Sequence, residues 1–358
     1  MEITPKYMNR LIVSFIFFSL SWIMFSQVTF VTDSFSDHYY GKVYVADTTE
    51  ILSPGWIAIY KKGTDKELIR VEAEDLAVSY TNNSVEVNVK ELPYGEQSVI
   101  MYEDFNFDGI KDFAIQDGQN SCYHGPSYQI YLAEKGQFVF SDEFTSLAQN
   151  YCGMFGVSSE DKQLYTMTKS GCCWHQFARF DVVQNKPREV YRLEEGIDFS
   201  IPQFFNTTIF EWNGKKLVET SSVRNLSVDI KDCLFSFDIP AKKKKVVLFN
   251  SDEYITYAFL NEFNEVEYFY PNDKDTASFE LTTRNESDTL RFSTKDAQYI
   301  IYNTDTKVGI KVITKGKIYD MPGDVYSRES GRMFYLFDYG LVNLRGEDLR
   351  KWLPALSD

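Results

Sequence analysis

Short segments of alternating apolar and polar residues, broken at regular intervals by turn residues, run through most of this chain, and that period of two leaves little room for a helical architecture. Before residue 195 such segments occur at 42–46, 56–60, 68–71, 84–89, 98–102 and 112–115. A strand sends successive side chains to opposite faces, so each of these segments can bury one face. Three later stretches read as antiparallel hairpins: 128–140 turning at Lys135-Gly136, 177–191 turning at Asn185-Lys186, and 208–220 turning at Asn213-Gly214. Asn-Gly is the strongest of these signals, because both central residues of a type I′ turn need positive φ. Successive hairpins suggest a sandwich or propeller blades. Aromatic residues make up 16% of the chain, against only 10 Pro and 19 Gly, which suits half-buried pleated surfaces. A second, smaller β-rich domain is expected over 225–358, with strands at 227–230, 246–249, 254–259, 279–282, 289–292, 299–302 and 309–313 and one helix at 346–356.

The ends and the charge speak to compartment and partners. Residues 1–27 read as a signal peptide: Lys6 and Arg10 precede an apolar stretch of about 15 residues, shorter than the roughly 20 that cross a bilayer. No cysteine lies there to carry a lipid anchor, so the mature chain is expected to be secreted or periplasmic, with no membrane span. All five cysteines follow it, which fits an oxidising compartment. Cys122 and Cys152 flank one predicted hairpin and are the expected disulfide. Closing that loop would contribute roughly 3–4 kcal/mol in the chain-entropy model. Cys172 and Cys173 would point to opposite faces of a strand and so have different partners or none; a bond between them is the alternative. With 37 basic and 52 acidic residues the net charge is −15, which repels nucleic acid and favours divalent cations and basic proteins. The basic run 242–245 reads as a solvated turn.

The sharpest motif is Asp104-Phe105-Asn106-Phe107-Asp108-Gly109-Ile110-Lys111-Asp112. Oxygen side chains stand at loop positions 1, 3, 5 and 9, Gly109 at position 6 allows the sharp turn, and the Ile110 carbonyl takes position 7. Calcium takes six to eight hard oxygen ligands, so Asp104, Asn106, Asp108, Ile110 and Asp112 are the expected ligands, with their carboxylates converging on one ion. Position 12 is Ile115 where an EF-hand carries a bidentate Glu, and it falls in a strand segment. A structural, weakly bound ion is therefore expected rather than a helix-loop-helix sensor.

A second constellation, Ser170-Gly171-Cys172-Cys173-Trp174-His175, reads as a rigid loop that offers Ser170, Trp174 and His175 to a partner. Cys beside His suggests a nucleophile, but no third residue orients the imidazole, and no phosphate loop, Gly-x-Ser-x-Gly elbow or His-Glu-x-x-His helix is present. No catalytic residue is assigned.

Together with Leu92-Pro93-Tyr94-Gly95-Glu96-Gln97-Ser98 and Tyr128-Gln129-Ile130-Tyr131-Leu132, these two motifs resemble FG-GAP-like calcium repeats. More closely, residues 85–195 are similar to secreted proteins related to periplasmic immunity proteins that inhibit lysozyme-like effectors. The resemblance implies an incomplete β-propeller-like antiparallel domain over 28–224, calcium in the Asp104 to Asp112 loop, no catalysis and a protruding loop that blocks a glycan hydrolase. The expected function is a non-enzymatic, calcium-stabilised binding protein, an immunity-type inhibitor of a basic lysozyme-like hydrolase. The competing class is a surface glycan-binding or adhesion module.

Overall fold

A computed structural model describes residues 28–346, apart from 65, 79, 82–83, 86–97, 230, 273–277 and 285–286. The expected signal peptide lies outside the described residues. So does the expected helix at 346–356, except for Gly346, which ends a strand. The chain is mainly β and nearly all its pairings are antiparallel. It divides into two compact units, residues 1–192 with 211–217 and residues 193–210 with 218–358. The division precedes the expected boundary at 225 and falls inside two long strands, β14 (Lys186–Asp198) and β15 (Ile201–Trp212). Continuous strands carry no composition shift, which is why the sequence marks no break there.

The first unit opens with β1 (Val28–Thr32), β2 (Tyr39–Val45), β3 (Ser53–Lys61) and β4 (Glu67–Leu76), an antiparallel meander in which each strand pairs with the next. After a two-residue ladder of β5 (Tyr80–Thr81) and β6 (Ser84–Val85) comes a second meander. It consists of β7 (Ile100–Glu103), β8 (Asp112–Ser121), β9 (Gly125–Glu134) and β10 (Gln137–Phe140). Its central strand is apolar on both faces. Phe113 and Ile115 pack with Val43, Ile57 and Ile59 of the first sheet, whereas Ala114 between them packs with Phe144 and Leu147 on the other side. Alternation of side chains makes that division automatic.

Phe144 and Leu147 belong to α1 (Asp142–Asn150), a helix the sequence reading left out. Its signals are local. Ser141 caps it by accepting the Phe144 N–H, Asp142 and Glu143 fill the first turn, and Phe144, Leu147 and Ala148 fall on one buried face at helical spacing. Nine residues between strands were too short a window to stand out from the surrounding period of two. The unit continues through β11 (Gly156–Ser158), β12 (Gln163–Ser170) and β13 (Trp174–Val183), again paired in sequence.

The second unit receives β16 (Leu217–Leu226) from residue 218 on and is then built on β17 (Cys233–Ile239), β18 (Lys244–Ser251), β19 (Tyr254–Asn261) and β20 (Val266–Tyr270). Val246 and Leu248 face one core and Val247 and Phe249 the other. The first of these cores is shared with β21 (Phe279–Arg284), β22 (Ser287–Ser293), β23 (Gln298–Thr304), β24 (Val308–Thr314) and β25 (Lys317–Gly323). A short β26 (Leu344–Gly346) adds the one parallel pairing among the described residues, against β21.

Two hairpins turn differently from expectation. The turn between β13 and β14 is Gln184-Asn185, both at positive φ, one residue earlier than Asn185-Lys186. The stretch at Asn213-Gly214 is a four-residue loop in which the Asn213 side chain accepts the Lys215 and Lys216 N–H groups and Gly214 alone has positive φ. An asparagine that can cap its own loop removes the need for a two-residue turn. Lys135-Gly136 does form the tight turn, both residues at positive φ.

Candidate functional site

The Asp104 to Asp112 loop joins β7 to β8 and is anchored by its aromatic residues. Phe105 is fully buried, edge-on to Phe155 at 5.5 Å, and Phe107 packs on the same core. That frees the intervening residues to build the polar side. Phe107 at φ 62 and Gly109 at φ +88 make the sharp bends. Nothing lies within 4 Å of a Cβ placed on Gly109, so the glycine answers a backbone demand and not a crowded space.

The oxygens of the loop turn onto its own N–H groups. Asp104 accepts from Asp108 at 3.1 Å and from Gly109 at 2.9 Å, Asn106 accepts from Asp108 at 3.2 Å, and Asp108 accepts from Ile110 at 2.8 Å. The Asn106 amide donates to Asp108 and to Asn185 of the β13–β14 turn. Asp112 is fully buried and accepts from Phe105 N–H and Ala133 N–H, both at 2.8 Å. It has no Lys, Arg or His ion partner among the described residues. Burial, with Asp108 and Asp104 nearby adding repulsion against two backbone N–H bonds, pushes its carboxyl up to about 6.

The five expected ligand positions thus share one loop, but Asp104, Asp108 and Asp112 do not gather on one point. Among the described residues no group of three His, Cys, Asp or Glu stands close enough to hold a metal ion. Like charges repel, and each carboxylate accepts from at least one backbone N–H instead. The donor set nevertheless suits calcium: it is all oxygen, and each carboxylate keeps lone pairs beyond those its N–H groups use. Ile115, at the twelfth position, is buried in the apolar core, so the loop has no bidentate closing carboxylate.

The second constellation is the tip of the β12–β13 hairpin. Gly171, Cys172 and Cys173 form the loop, with Gly171 at φ +62, and Ser170 pairs with Trp174 across its mouth. Because Cys172 and Cys173 sit in the turn and not in a strand, their side chains meet, and they are bonded to each other. The expectation of separate partners fails for that reason. Cys122 and Cys152 are also bonded, leaving Cys233 as the free thiol. Tyr123, next to Cys122, supports the tip: its hydroxyl accepts the Gly171 N–H and Lys169 lies 5.0 Å over its ring.

Trp174 and His175 begin β13, so they face opposite sides and are not presented together. His175 shares its side with Lys169 across the ladder and with Phe177, whose ring lies 6.5 Å away. Phe177 and Tyr123 are conspicuously exposed, at 41% and 60%. Beside Phe177 lies an apolar cleft of about 530 Å³ lined by Met154, Tyr165, Met167, Arg179 and Tyr191. Arg179 stacks 4.2 Å from the Tyr191 ring, and its buried Nε has no acceptor. Sequence reasoning missed this face. The register of β12 on β13 pairs Met167 with Phe177 and Tyr165 with Arg179, and that register is what assembles it.

No family model matches the chain, and no curated protein matches it. Among solved structures it is similar to a Xanthomonas type IV secretion system related protein, at 20% identity and TM-score 0.43, over 56% of this chain and 95% of that one. It is also similar to prolyl oligopeptidase B from Galerina marginata, at 8% identity and TM-score 0.23, over 84% of this chain and 42% of that one. A third similarity, to TolB from Acinetobacter baumannii, has 8% identity and TM-score 0.19 over 81% of this chain and 64% of that one. At these values the similarities carry no functional argument.

Proposed function

We propose that the chain is a non-enzymatic, calcium-stabilised binding protein of the bacterial cell envelope that captures and inhibits a basic, lysozyme-like peptidoglycan hydrolase. The observation that carries the calcium reading is the Asp104 to Asp112 loop: oxygen donors, a positive-φ glycine and a buried aspartate that makes no ion pair among the described residues. The partner class rests on the resemblance of the two motifs, and the net charge of −15 supports it, since opposite charge speeds encounter with a basic enzyme. Two disulfides fit an oxidising compartment, and among the described residues no helix is long and apolar enough to cross a membrane.

The docking face is the side of the hairpin that carries Lys169, His175 and Phe177, with the adjoining apolar cleft; Trp174 points to the other side. Held by a bonded cysteine pair and by Tyr123, it can meet a partner with little further ordering. A panel of lysozyme-like hydrolases assayed on cell walls with and without the protein tests this. Inhibition that weakens at high salt and is lost in Phe177→Asp, with the melting temperature retained, is expected. Undiminished wall lysis across the panel, or equal inhibition by the variant, would sink it.

A further inference from the structure

The first unit carries a second cleft whose chemistry differs from that of the hairpin face. Its volume is about 490 Å³, within the roughly 300–1,000 Å³ of ligand pockets. The ends of β2, β3 and β4 form one wall and residues 117–120 of β8 the other. The β8 wall is irregular where it meets the cleft, since its ladder with β9 shifts register between Gln116 and Gly118 and again between Gly118 and Ser121. Such bulges re-aim side chains and recur beside binding sites. Gly118, at φ +143, absorbs the distortion.

Three features define what would fit. Gln119 lines the cleft, is only 7% exposed, and its Nε2 is buried with no hydrogen-bond partner. A buried amide donor left unmade is costly, so the site calls for an acceptor. Beside it Asp117 is locked, one carboxylate oxygen accepting from Ser127 and the other from Gln149. On the β4 side Glu74 and Asp75 line the cleft and have neither an ion pair nor a hydrogen bond among the described residues, so they call for donors. The apolar part is Trp56, held flat by the Arg70 guanidinium 4.0 Å over its ring and by Tyr44 stacked at 15°.

We infer that this cleft binds a neutral oligosaccharide. A sugar hydroxyl both donates and accepts, so one ligand can satisfy Glu74 and Asp75 and also the Gln119 amide, while its C–H groups pack along the edge of the Trp56 ring left between Tyr44 and Arg70. A cationic ligand such as a polyamine would answer the carboxylates but leave the Gln119 donor unpaired. The inference stands apart from the hydrolase reading, because none of these residues belongs to the hairpin face or the aspartate loop.

The test is calorimetric titration of the full chain with neutral tetrasaccharides (N-acetylchitotetraose, cellotetraose, maltotetraose and mannotetraose), with spermine as the cationic control. At least one sugar is expected to bind, and Gln119→Met should weaken it about tenfold. That variant should keep its melting temperature, since it removes an unpaired buried donor. A Glu74→Gln, Asp75→Asn double variant on the rim gives a second reading that does not depend on how Gln119→Met folds, and it too should weaken binding. Failure of every sugar to bind, equal binding by the rim variant, or binding of spermine alone would overturn the inference.

Discussion

Among the described residues each unit buries one aspartate completely, and the two are stabilised in opposite ways. Asp288, in β22 of the second unit, receives Arg332 in a two-pronged ion pair at 2.8 and 3.0 Å and the Met333 N–H at 2.9 Å. Asp112, in β8 of the first, receives two backbone N–H groups and no cation. Both stand at the start of a strand, Asp112 first in β8 and Asp288 second in β22, and both are 0% exposed. What differs is the origin of the positive charge. The second unit supplies it from its own chain, in fixed geometry. The first has aspartates nearby instead, Asp104 and Asp108, which add to the charge it must tolerate. A unit that carries a buried anion without a counter-charge gains most from a divalent ion supplied by solvent.

The largest effect should come from breaking the pair that is complete. Arg332→Met leaves Asp288 buried and uncompensated, which costs about 3–5 kcal/mol. Urea unfolding should show the loss in full. If Arg332→Met changed stability no more than a surface substitution, the contrast between the two carboxylates would disappear.

Next in size is the pH dependence of the chelator-treated protein. Below about pH 4 the Asp112 carboxyl is protonated in both the folded and the unfolded chain, and it adds no charge penalty. Between there and its folded value of about 6 the folded protein alone holds the proton, so this group's contribution to stability falls as pH rises. Above that the full penalty is carried, about 3 kcal/mol. Chemical denaturation of wild type and Asp112→Asn from pH 4 to 7 isolates it: the stability difference between them should change across that window. Parallel curves would count against an unneutralised Asp112.

Calcium tests the same carboxylate from the other side. At a concentration one hundred times the dissociation constant, an ion that binds only the folded state contributes about 2.7 kcal/mol. The wild type should melt higher on calcium addition, Asp108→Ala should not, and the pH dependence assigned to Asp112 should flatten in the wild type. Should calcium leave both proteins unchanged, the loop is a hydrogen-bonded turn and the calcium reading falls.

How much of this was legible in the sequence depends on the range of the interaction. The period of two gave the strands, and the local spacing of Asp104, Asn106, Asp108 and Gly109 marked a polar turn, because such patterns act within a few residues. The polar side of the loop was visible; its hydrogen bonds to Ala133 and Asn185 were not, since they join residues 21 and 79 positions apart. Arg332 and Asp288 are 44 positions apart and neither stands in a motif. The cleft at Gln119 was equally hidden, because it depends on where a bulge falls in β8. The helix α1, a local feature, had a readable cap at Ser141 and was masked by the strands around it.

The smallest effect concerns sulfur and sharpens the same comparison. In the first unit all four cysteines are bonded, two of them at the hairpin tip, whereas the second unit holds the single free thiol, Cys233. Its Sγ lies 3.3 Å from a Glu329 carboxylate oxygen, and burial together with that charge pushes the thiol up to about 11. The thiolate is the reactive form, so alkylation by iodoacetamide at pH 8 should be far slower than for an exposed cysteine. Cys233→Ala removes a small, partly buried group and one weak hydrogen bond, and should change stability by no more than about 1 kcal/mol. Rapid labelling at pH 8 would instead place Cys233 in an open, charge-stabilised setting, and sulfur would no longer divide a covalently pinned unit from one held by packing and a buried ion pair.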